Sequence, residues 1–405
     1  MIHDERAALK KGNQSAERKL EAYALSAMSG KNTSCIAAGL RKIMSSLEVF
    51  YKKGVLFRKE KETASARDAG LPVISVGNIT TGGTGKTPCI IRLAQMLMQE
   101  GYHPAIISRG YGGQMEHDGG VVSNGEDLLA SPESAGDEPY MIAARLPGVP
   151  VLVGKDRVKS AERGKWLGVD VLLLDDGFQY WKMKRDLDIV LIDGTNPFGY
   201  GHVLPRGLLR EPLEGLARAD VFIITKSDLI ADGQLTKITE TLAQYNSAAP
   251  VLKAIHKPMG VLPFGDWQER NEAALILPDR SPQYILVTAL GNPASVEESV
   301  KKMGYPLLAC RDYPDHYKFR EKDILSLWEM ACREYSKYFG AGGEDFSDKD
   351  LSEQGRLLIT EKDAVKMIHL KQTRALKMGI DVFLMEFSFV DEGEEGIKQR
   401  WEAFL

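Results

Sequence analysis

One glycine-rich stretch constrains the fold of this chain more than any other feature. Residues 80–88 read TTGGTGKTP, directly after the apolar run 73–77 and before an apparent helix. Glycines let successive backbone N–H groups curve around phosphate oxygens, and the helix N-terminus adds a partial positive charge. A lysine at this place reaches the β- and γ-phosphates, and the hydroxyl after it can ligate Mg²⁺. The stretch therefore predicts a site for a nucleoside triphosphate, although Thr80 stands where the general pattern has glycine. The predicted phosphate-binding residues are Thr80, Thr81, Gly82, Gly83, Thr84, Gly85, Lys86 and Thr87.

Short apolar runs, separated by polar or helical stretches, follow residue 71. They predict buried strands at 72–78, 103–110, 150–156, 169–177, 187–194 and 219–228, and further strands at 250–256, 283–290, 356–360 and 381–387. The stretches between several of them are long enough for crossover helices, as at 88–100 and 157–167. We therefore expect an α/β fold with a P-loop NTPase-type parallel sheet core, a second, smaller α/β domain and an N-terminal amphipathic helix.

Changes in composition along the chain predict its division into domains. A polar tail, 1–34, is expected to be mobile or weakly helical, and the acidic, glycine-containing stretch 339–355 is expected to be a surface loop. The predicted order is the tail, an amphipathic helix at 35–61, a P-loop nucleotide-binding domain at 62–215, a second α/β domain at 216–390, and a C-terminal helix at 391–405 able to pack back on the first domain.

The overall composition excludes several classes of protein. With 43% hydrophobic and 27% charged residues in 405, the chain is rich enough in apolar side chains to fold, and its net charge of −4 gives no global basic field for nucleic acid. Its four cysteines are widely spaced and form no CxxC pair, which argues against a disulfide scaffold or a zinc site. No stretch approaches the ~20 apolar residues of a membrane span and the N-terminus lacks a secretory h-region, so we expect neither a membrane crossing nor export.

The predicted N-terminal helix combines an apolar stripe with a local excess of cations. Apolar residues recur at helical spacing from Ile36 to Leu56. The stretch from Arg41 to Lys61 contains seven basic residues and only two acidic ones. Such a helix can lie on an anionic lipid surface, or it can dock its apolar stripe on the body of the protein. Periodicity alone does not separate the two alternatives.

Acidic residues after one predicted strand are candidates for the metal site. The apolar run 172–174 leads into Asp175 and Asp176, the arrangement by which a strand presents carboxylates to a nucleotide-bound Mg²⁺. Carboxylates at strand ends also cap helices, so the interpretation depends on the phosphate loop accompanying them.

A nucleotide site alone leaves a kinase, a GTPase-type switch and an ATPase open. A kinase that phosphorylates a hydroxyl needs a group to accept its proton, and the segments GDEP (136–139) and YPDHY (313–317) offer candidates of that kind. Against this, TKSD (225–228) after a predicted strand imitates the guanine-recognition element of P-loop GTPases, which could belong to a switch or a metallochaperone. A membrane-tethered ATPase acting through a partner protein is a further alternative.

Taken in order, these segments and several others resemble the tetraacyldisaccharide 4'-kinase family, the lipid A 4'-kinases of Gram-negative bacteria. The resemblance covers about residues 36–390. The matching segments are SVGNITTGGTGKTP (75–88), SRGYGG (108–113), GDEP (136–139), LLLDDGFQ (172–179), LPRGLLREPL (204–213), DHYKF (315–319) and TEKDAVK (360–366). It implies transfer of the γ-phosphate of ATP to the 4'-hydroxyl of a tetraacyldisaccharide 1-phosphate, giving lipid IVA.

The resemblance also implies roles for individual residues. Asp137 would be the catalytic base, with His316 as its partner, while Lys86 and Thr87 keep the phosphate and Mg²⁺ roles argued above. Two further sets are implied: the metal would be held or positioned by Asp175, Asp176 and Glu211, and anionic phosphate groups would be faced by Arg157, Arg210 and, with less support, Arg109.

A membrane-embedded acceptor also implies where the protein works. An acceptor with four acyl chains stays in the bilayer, so the resemblance favours the lipid-surface interpretation of helix 35–61 and a peripheral position on the cytoplasmic face of the inner membrane. The implied partners are the acylated disaccharide 1-phosphate and that membrane surface, with no nucleic acid and no obligate protein partner.

Overall fold

Strands and helices alternate through most of the computed structural model, which describes residues 22–291, 293–314, 317–339, 355–368 and 379–405. The strands are β1 (Val73–Asn78), β2 (Pro104–Ser108), β3 (Gly120–Asn124), β4 (Pro150–Val153), β5 (Val171–Asp175), β6 (Leu187–Asp193), β7 (Val221–Thr225), β8 (Val251–Pro263), β9 (Gln283–Thr288), β10 (Leu307–Asp312), β11 (Gly355–Thr360) and β12 (Gly379–Phe389). The helices are α1 (22–28), α2 (Cys35–Ala64), α3 (Lys86–Gln99), α4 (Pro132–Ala135), α5 (Asp137–Arg145), α6 (Arg157–Lys165), α7 (Asp232–Tyr245), α8 (Phe264–Glu269), α9 (Pro293–Lys302), α10 (Glu321–Phe339), α11 (Glu361–Met367) and α12 (Gly393–Trp401).

The strands predicted from apolar runs are all present, and the expected α/β class is confirmed. Strands β3 and β10 were not predicted. Both are only partly buried, β10 being exposed over its last three residues, so neither carries the continuous apolar run by which a buried strand is recognised. Most of the predicted tail (1–21) and of the predicted loop (340–354) lies outside the described residues.

The chain divides into two compact units. The first contains the described residues up to 86 together with 174–255 and 389–405, and the second contains the described parts of 87–173 and 256–388. Each unit is thus assembled from segments distant in sequence, whereas the sequence suggests domains that follow one another. The boundaries predicted at 62–215 and 216–390 stay a prediction.

In the first unit, the start of β8 (251–255), β7, β6 and β1 lie side by side in this order and run parallel. Every residue of β1 and β7 is buried, and apolar side chains of this sheet form a core with Phe178, Leu216 and Leu242. Because parallel strands end at the same edge of a sheet, the phosphate loop after β1 and the TKSD turn after β7 lie at one edge.

The second unit contains two groups of strands. In one, β10, β9, β11 and β12 are parallel neighbours in this order; in the other, β2 pairs parallel and β3 pairs antiparallel with β4. The first group forms a core with α10 and α11, and Tyr140 and Met141 of α5 pack against that core. Helices α5 and α11 therefore share one packing surface.

Helix α2 presents two different faces. Ser34 caps its start, and its buried Ala37, Met44 and Val55 share a face with Glu48 and Tyr51, which contact residues 203 and 210 of the same unit. A second stripe is exposed and apolar, with exposures from 51% at Leu47 to 77% at Ile36; it comprises Ile36, Ile43, Leu47, Phe50 and Phe57. The helix therefore docks on the protein and still leaves a separate apolar stripe uncovered within the described residues. Among the helices described, none combines the length and apolarity needed to cross a bilayer.

Candidate active site

The phosphate loop is held in a curved conformation by its glycines and by an adjacent segment. Gly82 and Gly85 have φ values of 114° and 85°, which favour glycine over any residue with a Cβ. The Thr81 N–H donates to the Leu208 carbonyl at 2.8 Å, and the Arg210 N–H donates to the Ile79 carbonyl at 2.7 Å. The segment 208–210 thus fixes the start of the loop, and α3 begins at its end.

Lys86 lies at the first residue of α3 and is shared between two oxygen acceptors. Its Nζ donates to the Asn78 Oδ1 at 3.2 Å and lies 3.5 Å from the Asp176 Oδ1. Asn78, at the end of β1, in turn donates to the Thr80 carbonyl at 2.7 Å. The ammonium is therefore positioned from two strand ends, β1 and β5, beside the loop whose phosphates it is predicted to contact.

The two predicted metal ligands at the end of β5 differ in their surroundings. Asp175 is the last residue of the strand and is 4% exposed. Asp176 follows with a φ of 49°, a left-handed conformation that aspartate tolerates better than most residues. The Arg210 Nη1 donates to both of its carboxylate oxygens, at 2.7 and 2.8 Å. The Asp176 carboxylate thus lies between two cations, Lys86 and Arg210.

Glu211, the third predicted metal residue, is buried in a hydrogen-bonded network. It is 2% exposed, and Arg218 donates to both of its oxygens at 2.7 Å. The Gln179 amide donates to the Glu211 Oε1 at 2.7 Å and to the Asn78 carbonyl at 2.8 Å. Glu211 is thereby linked to the end of β1, but its oxygens are engaged by Arg218 and Gln179. Neither partner was recognised from the sequence, which holds no local signal for these pairings.

The TKSD turn contacts the phosphate loop. The Lys226 Nζ donates to the Asp193 Oδ2 at 2.5 Å and to the Gly83 carbonyl at 3.3 Å, and the Thr225 hydroxyl donates to the Thr84 carbonyl at 3.1 Å. Asp228, which would read a guanine, is exposed. The TKSD segment, which the sequence presents as a candidate for nucleobase recognition, therefore braces the phosphate loop through the side chains of Thr225 and Lys226.

In the second unit, the SRGYGG and GDEP segments lie against each other. A Cβ at Gly113 would come within 2.6 Å of Gly136 N and of the Ala135 carbonyl carbon, so only glycine allows this approach. Gly136, with a φ of 92°, precedes Asp137 at the first residue of α5. The predicted base is thus half-buried at a helix start that is packed on the glycines of the other motif.

Arg109 of the same segment is bound within the loop. Its Nε donates to the Glu116 Oε1 at 2.7 Å, and the Gly112 N–H donates to the Oε2 at 3.2 Å. Although burial acts to raise it, these hydrogen bonds hold the pKa of the Glu116 carboxyl below its ordinary value. Arg109 therefore has a structural partner in addition to its predicted phosphate role.

Of two further predicted site residues, Arg157 lies within the described residues and His316 does not. Arg157 is 5% exposed at the first residue of α6, whose start is capped by Asp156. His316 lies outside the described residues, so its pairing with Asp137 stays a prediction. Its described neighbours Tyr313, Tyr317 and Phe319 form an aromatic cluster with ring centroids 4.7 to 5.3 Å apart.

The side chains predicted to bind the metal offer the oxygen ligands that magnesium prefers. Among the described residues, no three His, Cys, Asp or Glu side chains form a group that could hold a metal by themselves. Magnesium bound with a nucleotide typically takes one or two carboxylates, with phosphate and water oxygens completing the octahedron. Asp175, Asp176 and the hydroxyl of Thr87, the second residue of α3, are hard oxygen donors of this kind.

Comparisons with known proteins agree on one family. Residues 40–339 match the family model described as Tetraacyldisaccharide-1-P 4'-kinase. The chain is 34% identical over 399 residues to the tetraacyldisaccharide 4'-kinase of Halothermothrix orenii, covering 94% of this chain and 97% of that protein. It is 37% identical to the same enzyme of Desulfatibacillum aliphaticivorans, over 82% of each. A crystal structure of the "apo" form of LpxK from Aquifex aeolicus in complex with ATP is similar to it, with a TM-score of 0.67 and 26% identity over 90% of this chain and 99% of that chain.

Proposed function

Because the chain belongs to the tetraacyldisaccharide-1-phosphate 4'-kinase family, we propose that it phosphorylates the 4'-hydroxyl of a tetraacyldisaccharide 1-phosphate, forming lipid IVA in lipid A biosynthesis. ATP is the donor: the 4'-oxygen bonds to the γ-phosphorus, the bond from that phosphorus to the β–γ bridging oxygen breaks, and ADP leaves. The observation that carries the proposal is the phosphate loop with Lys86 held between Asn78 and Asp176.

In this proposal the loop residues 80–87 bind the triphosphate. Lys86 leaves Asp176 for the β- and γ-phosphates, and Arg210, already beside that carboxylate, offsets the charge that develops there. Asp175, Asp176 and Thr87 would hold Mg²⁺, which when bound neutralises phosphate charge. Glu211 would position the metal site through its link to Gln179 and the end of β1, since its own oxygens are engaged by Arg218.

The proton of the attacking hydroxyl is assigned to Asp137, with His316 as the group that orients the carboxylate. This assignment follows the GDEP and DHY segments of the family resemblance, and general-base catalysis of this kind contributes about 10²–10⁴-fold. Arg157 and Arg109 would face the anionic groups of the substrates. The position of Asp137 at a helix start is compatible with the role, because the N–H groups there stabilise a carboxylate.

The acyl chains of the acceptor require the enzyme to work at a lipid surface. The exposed apolar stripe of α2, together with the basic residues beside it, supports peripheral binding to the cytoplasmic face of the inner membrane. The stripe is separate from the face that docks on the protein, so docking on the protein and binding to a lipid surface are compatible on one helix.

The test is transfer of label from [γ-³²P]ATP to a tetraacyldisaccharide 1-phosphate in detergent, with mass spectrometry of the product and Lys86→Ala as the inactive control. A lipid product carrying one added phosphate supports the kinase. Label released only as free phosphate would instead support an ATPase, and activity with GTP but not ATP would support a GTPase-type switch or metallochaperone. The GTPase-type alternative is not favoured, because the chain matches the kinase family over residues 40–339 and because Lys226 of the TKSD segment contacts the phosphate loop.

A further inference from the structure

The TEKDAVK segment, residues 360–366, has no role in the mechanism above although it belongs to the family resemblance. It caps and forms α11: the Thr360 Oγ1 accepts from the Asp363 N–H at 3.3 Å and donates to the Asp363 Oδ2 at 2.8 Å. Asp363 is fully buried, and Lys366 is 5% exposed. Two buried charged groups on one short helix require a structural explanation, because a buried charge costs free energy unless it is paired.

The buried pair anchors α11 to the end of β9. The Lys366 Nζ donates to the Asp363 Oδ1 at 3.0 Å and to the Ala289 carbonyl at 2.8 Å, while the Ala289 N–H donates to the Asp363 Oδ2 at 3.2 Å. Both polar groups of one backbone residue are thereby satisfied by side chains of α11. The helix is thus fixed to the sheet of the second unit.

From this anchored helix, two side chains reach α5. The Glu361 Oε1 accepts from the Arg145 Nη1 at 3.1 Å and from the Trp267 Nε1 at 3.1 Å. The Lys362 Nζ lies 3.2 Å from the Glu138 Oε1. Arg145 is the last residue of α5 and Glu138 the second, so the two contacts lie about 10 Å apart along the helix axis. Contacts at both ends restrict the tilt of a helix as well as its position.

We propose that residues 360–366 position α5, so that Glu361 and Lys362 hold the Asp137 carboxylate in place for proton transfer. The inference rests on the base role proposed for Asp137, which is the first residue of α5 and the immediate neighbour of Glu138. Glu361 and Lys362 are positioning residues that act through α5. The Glu361–Arg145 pair is mostly buried on both sides, at 14% and 18% exposure, so it is better shielded from water than an ordinary surface pair. Lys362 is 19% exposed, but its partner Glu138 is 45% exposed, so we expect this second contact to be the weaker of the two.

The experiment compares Glu361→Ala, Glu361→Gln and Lys362→Met with Asp137→Asn in the full-length protein. A displacement of about 1 Å in a catalytic group costs up to about 100-fold in rate, so we expect the kcat of Glu361→Ala to fall about 10-fold with the KM for ATP unchanged. Glu361→Gln, which keeps an acceptor for Arg145 and Trp267, should recover most of this rate. Glu297→Ala is the matched control, since it removes an ion pair of α9 at 2.5 Å that touches neither helix.

The double variant Glu361→Ala/Asp137→Asn separates positioning from general destabilisation. If Glu361 acts through Asp137, the double variant is no slower than Asp137→Asn alone, whereas independent effects multiply. Multiplied losses, or full turnover of both Glu361→Ala and Lys362→Met beside an inactive Asp137→Asn, would overturn this inference and leave the proposed function intact. Full turnover of Asp137→Asn would overturn the base assignment itself. Thermal unfolding of each variant identifies any loss of activity that is due to misfolding. If Glu361→Ala is misfolded, Lys362→Met, which also removes a contact to α5, replaces it in the comparison.

Discussion

The Arg218 guanidinium donates to both carboxylate oxygens of Glu211 at 2.7 Å, and its central carbon lies 3.8 Å from the centroid of the Phe178 ring. Arginine is suited to both contacts, because its planar fork matches a carboxylate and its face stacks on an aromatic ring. A further donation from Arg218, to the Phe178 carbonyl at 3.0 Å, connects this pair to the segment that follows Asp175 and Asp176.

Replacing Arg218 should therefore destabilise the protein strongly. In Arg218→Met the buried Glu211 carboxylate loses its counter-charge, and breaking one side of a buried pair typically costs about 3–5 kcal/mol of unfolding free energy. Urea unfolding measures this cost, and adding Glu211→Gln should recover part of it. Lys52→Met is the control: it removes an exposed pair with Glu214 and should change stability by less than about 0.5 kcal/mol. Equal stability of the Arg218 and Lys52 variants would show that the buried pair is not a stabilising element.

The brace between Lys226 and Gly83 gives a prediction about nucleotide binding. Lys226→Met removes the hydrogen bond from the Lys226 ammonium to the Gly83 carbonyl, so the phosphate loop should be less well ordered before ATP binds. We therefore expect the KM for ATP to rise about 10-fold, with a smaller change in kcat. Steady-state kinetics at saturating lipid acceptor would measure this change.

Asp228→Asn is the matched comparison on the same turn. Asp228 is exposed and has no role in the brace, so its variant should keep the kinetics of the parent with ATP and gain none with GTP. A change in the preference between ATP and GTP in Asp228→Asn would argue instead that the turn reads the nucleobase.

Much of this arrangement could be predicted from the sequence, because many of its features depend only on residues that are close together in the chain. The phosphate loop, the acids after β5 and the buried strands each occupy one continuous stretch with its own pattern of glycines, carboxylates or apolar residues. Helix α2 was predicted from its period, although the face that docks and the face that stays exposed could not be assigned, since both lie on the same amphipathic pattern.

The pairings between distant segments could not be predicted. Lys226 contacts Gly83 across 143 residues, and Arg145 contacts Glu361 across 216. Any of several lysines or arginines could have filled these positions as far as spacing is concerned, because an ion pair needs only opposite charges that the fold brings together. The assembly of each unit from separate stretches of chain could not be predicted for the same reason, because it depends on contacts between segments that are distant in sequence.

The Glu116 carboxylate predicts a pH dependence of stability. Burial acts to raise its pKa, but the hydrogen bonds from Arg109 and Gly112 lower the pKa below the ordinary 4.5. A carboxyl whose pKa is lower in the folded state contributes stability above its unfolded pKa and loses it as the pH falls through the folded value. Glu116→Gln should therefore be less stable than the parent by about 1 kcal/mol at pH 7, which is below the range of about 1.5–3 kcal/mol for a charged hydrogen bond because Arg109 is half exposed.

Urea unfolding of Glu116→Gln and the parent at pH 7 and at pH 3 tests this directly. The difference in unfolding free energy should shrink at the lower pH, because the carboxyl of the unfolded chain, whose pKa is higher, takes up its proton first. A difference that is the same at both pH values would mean that the carboxylate charge is not what stabilises the SRGYGG segment.

The exposed stripe of α2 leads to a prediction about lipid binding. Ile43, Leu47 and Phe50 are 61%, 51% and 72% exposed, so their replacement by serine leaves the docking face of the helix intact. Burying an apolar side chain of this size contributes about 1.5–3 kcal/mol, so we expect the triple variant to partition at least about 10-fold more weakly onto vesicles of phosphatidylethanolamine and phosphatidylglycerol.

Sedimentation with these vesicles, at low and at high salt, measures the change. The control is a triple serine variant at Leu129, Leu229 and Leu277, which are 57%, 45% and 55% exposed at other places on the surface. It should sediment with lipid like the parent, because scattered apolar residues do not form a binding face. Kinase activity toward an acceptor dispersed in detergent should survive in the α2 variant, since the helix is proposed to locate the enzyme and not to perform the chemistry. Equal sedimentation of both variants and the parent would contradict membrane binding through this stripe.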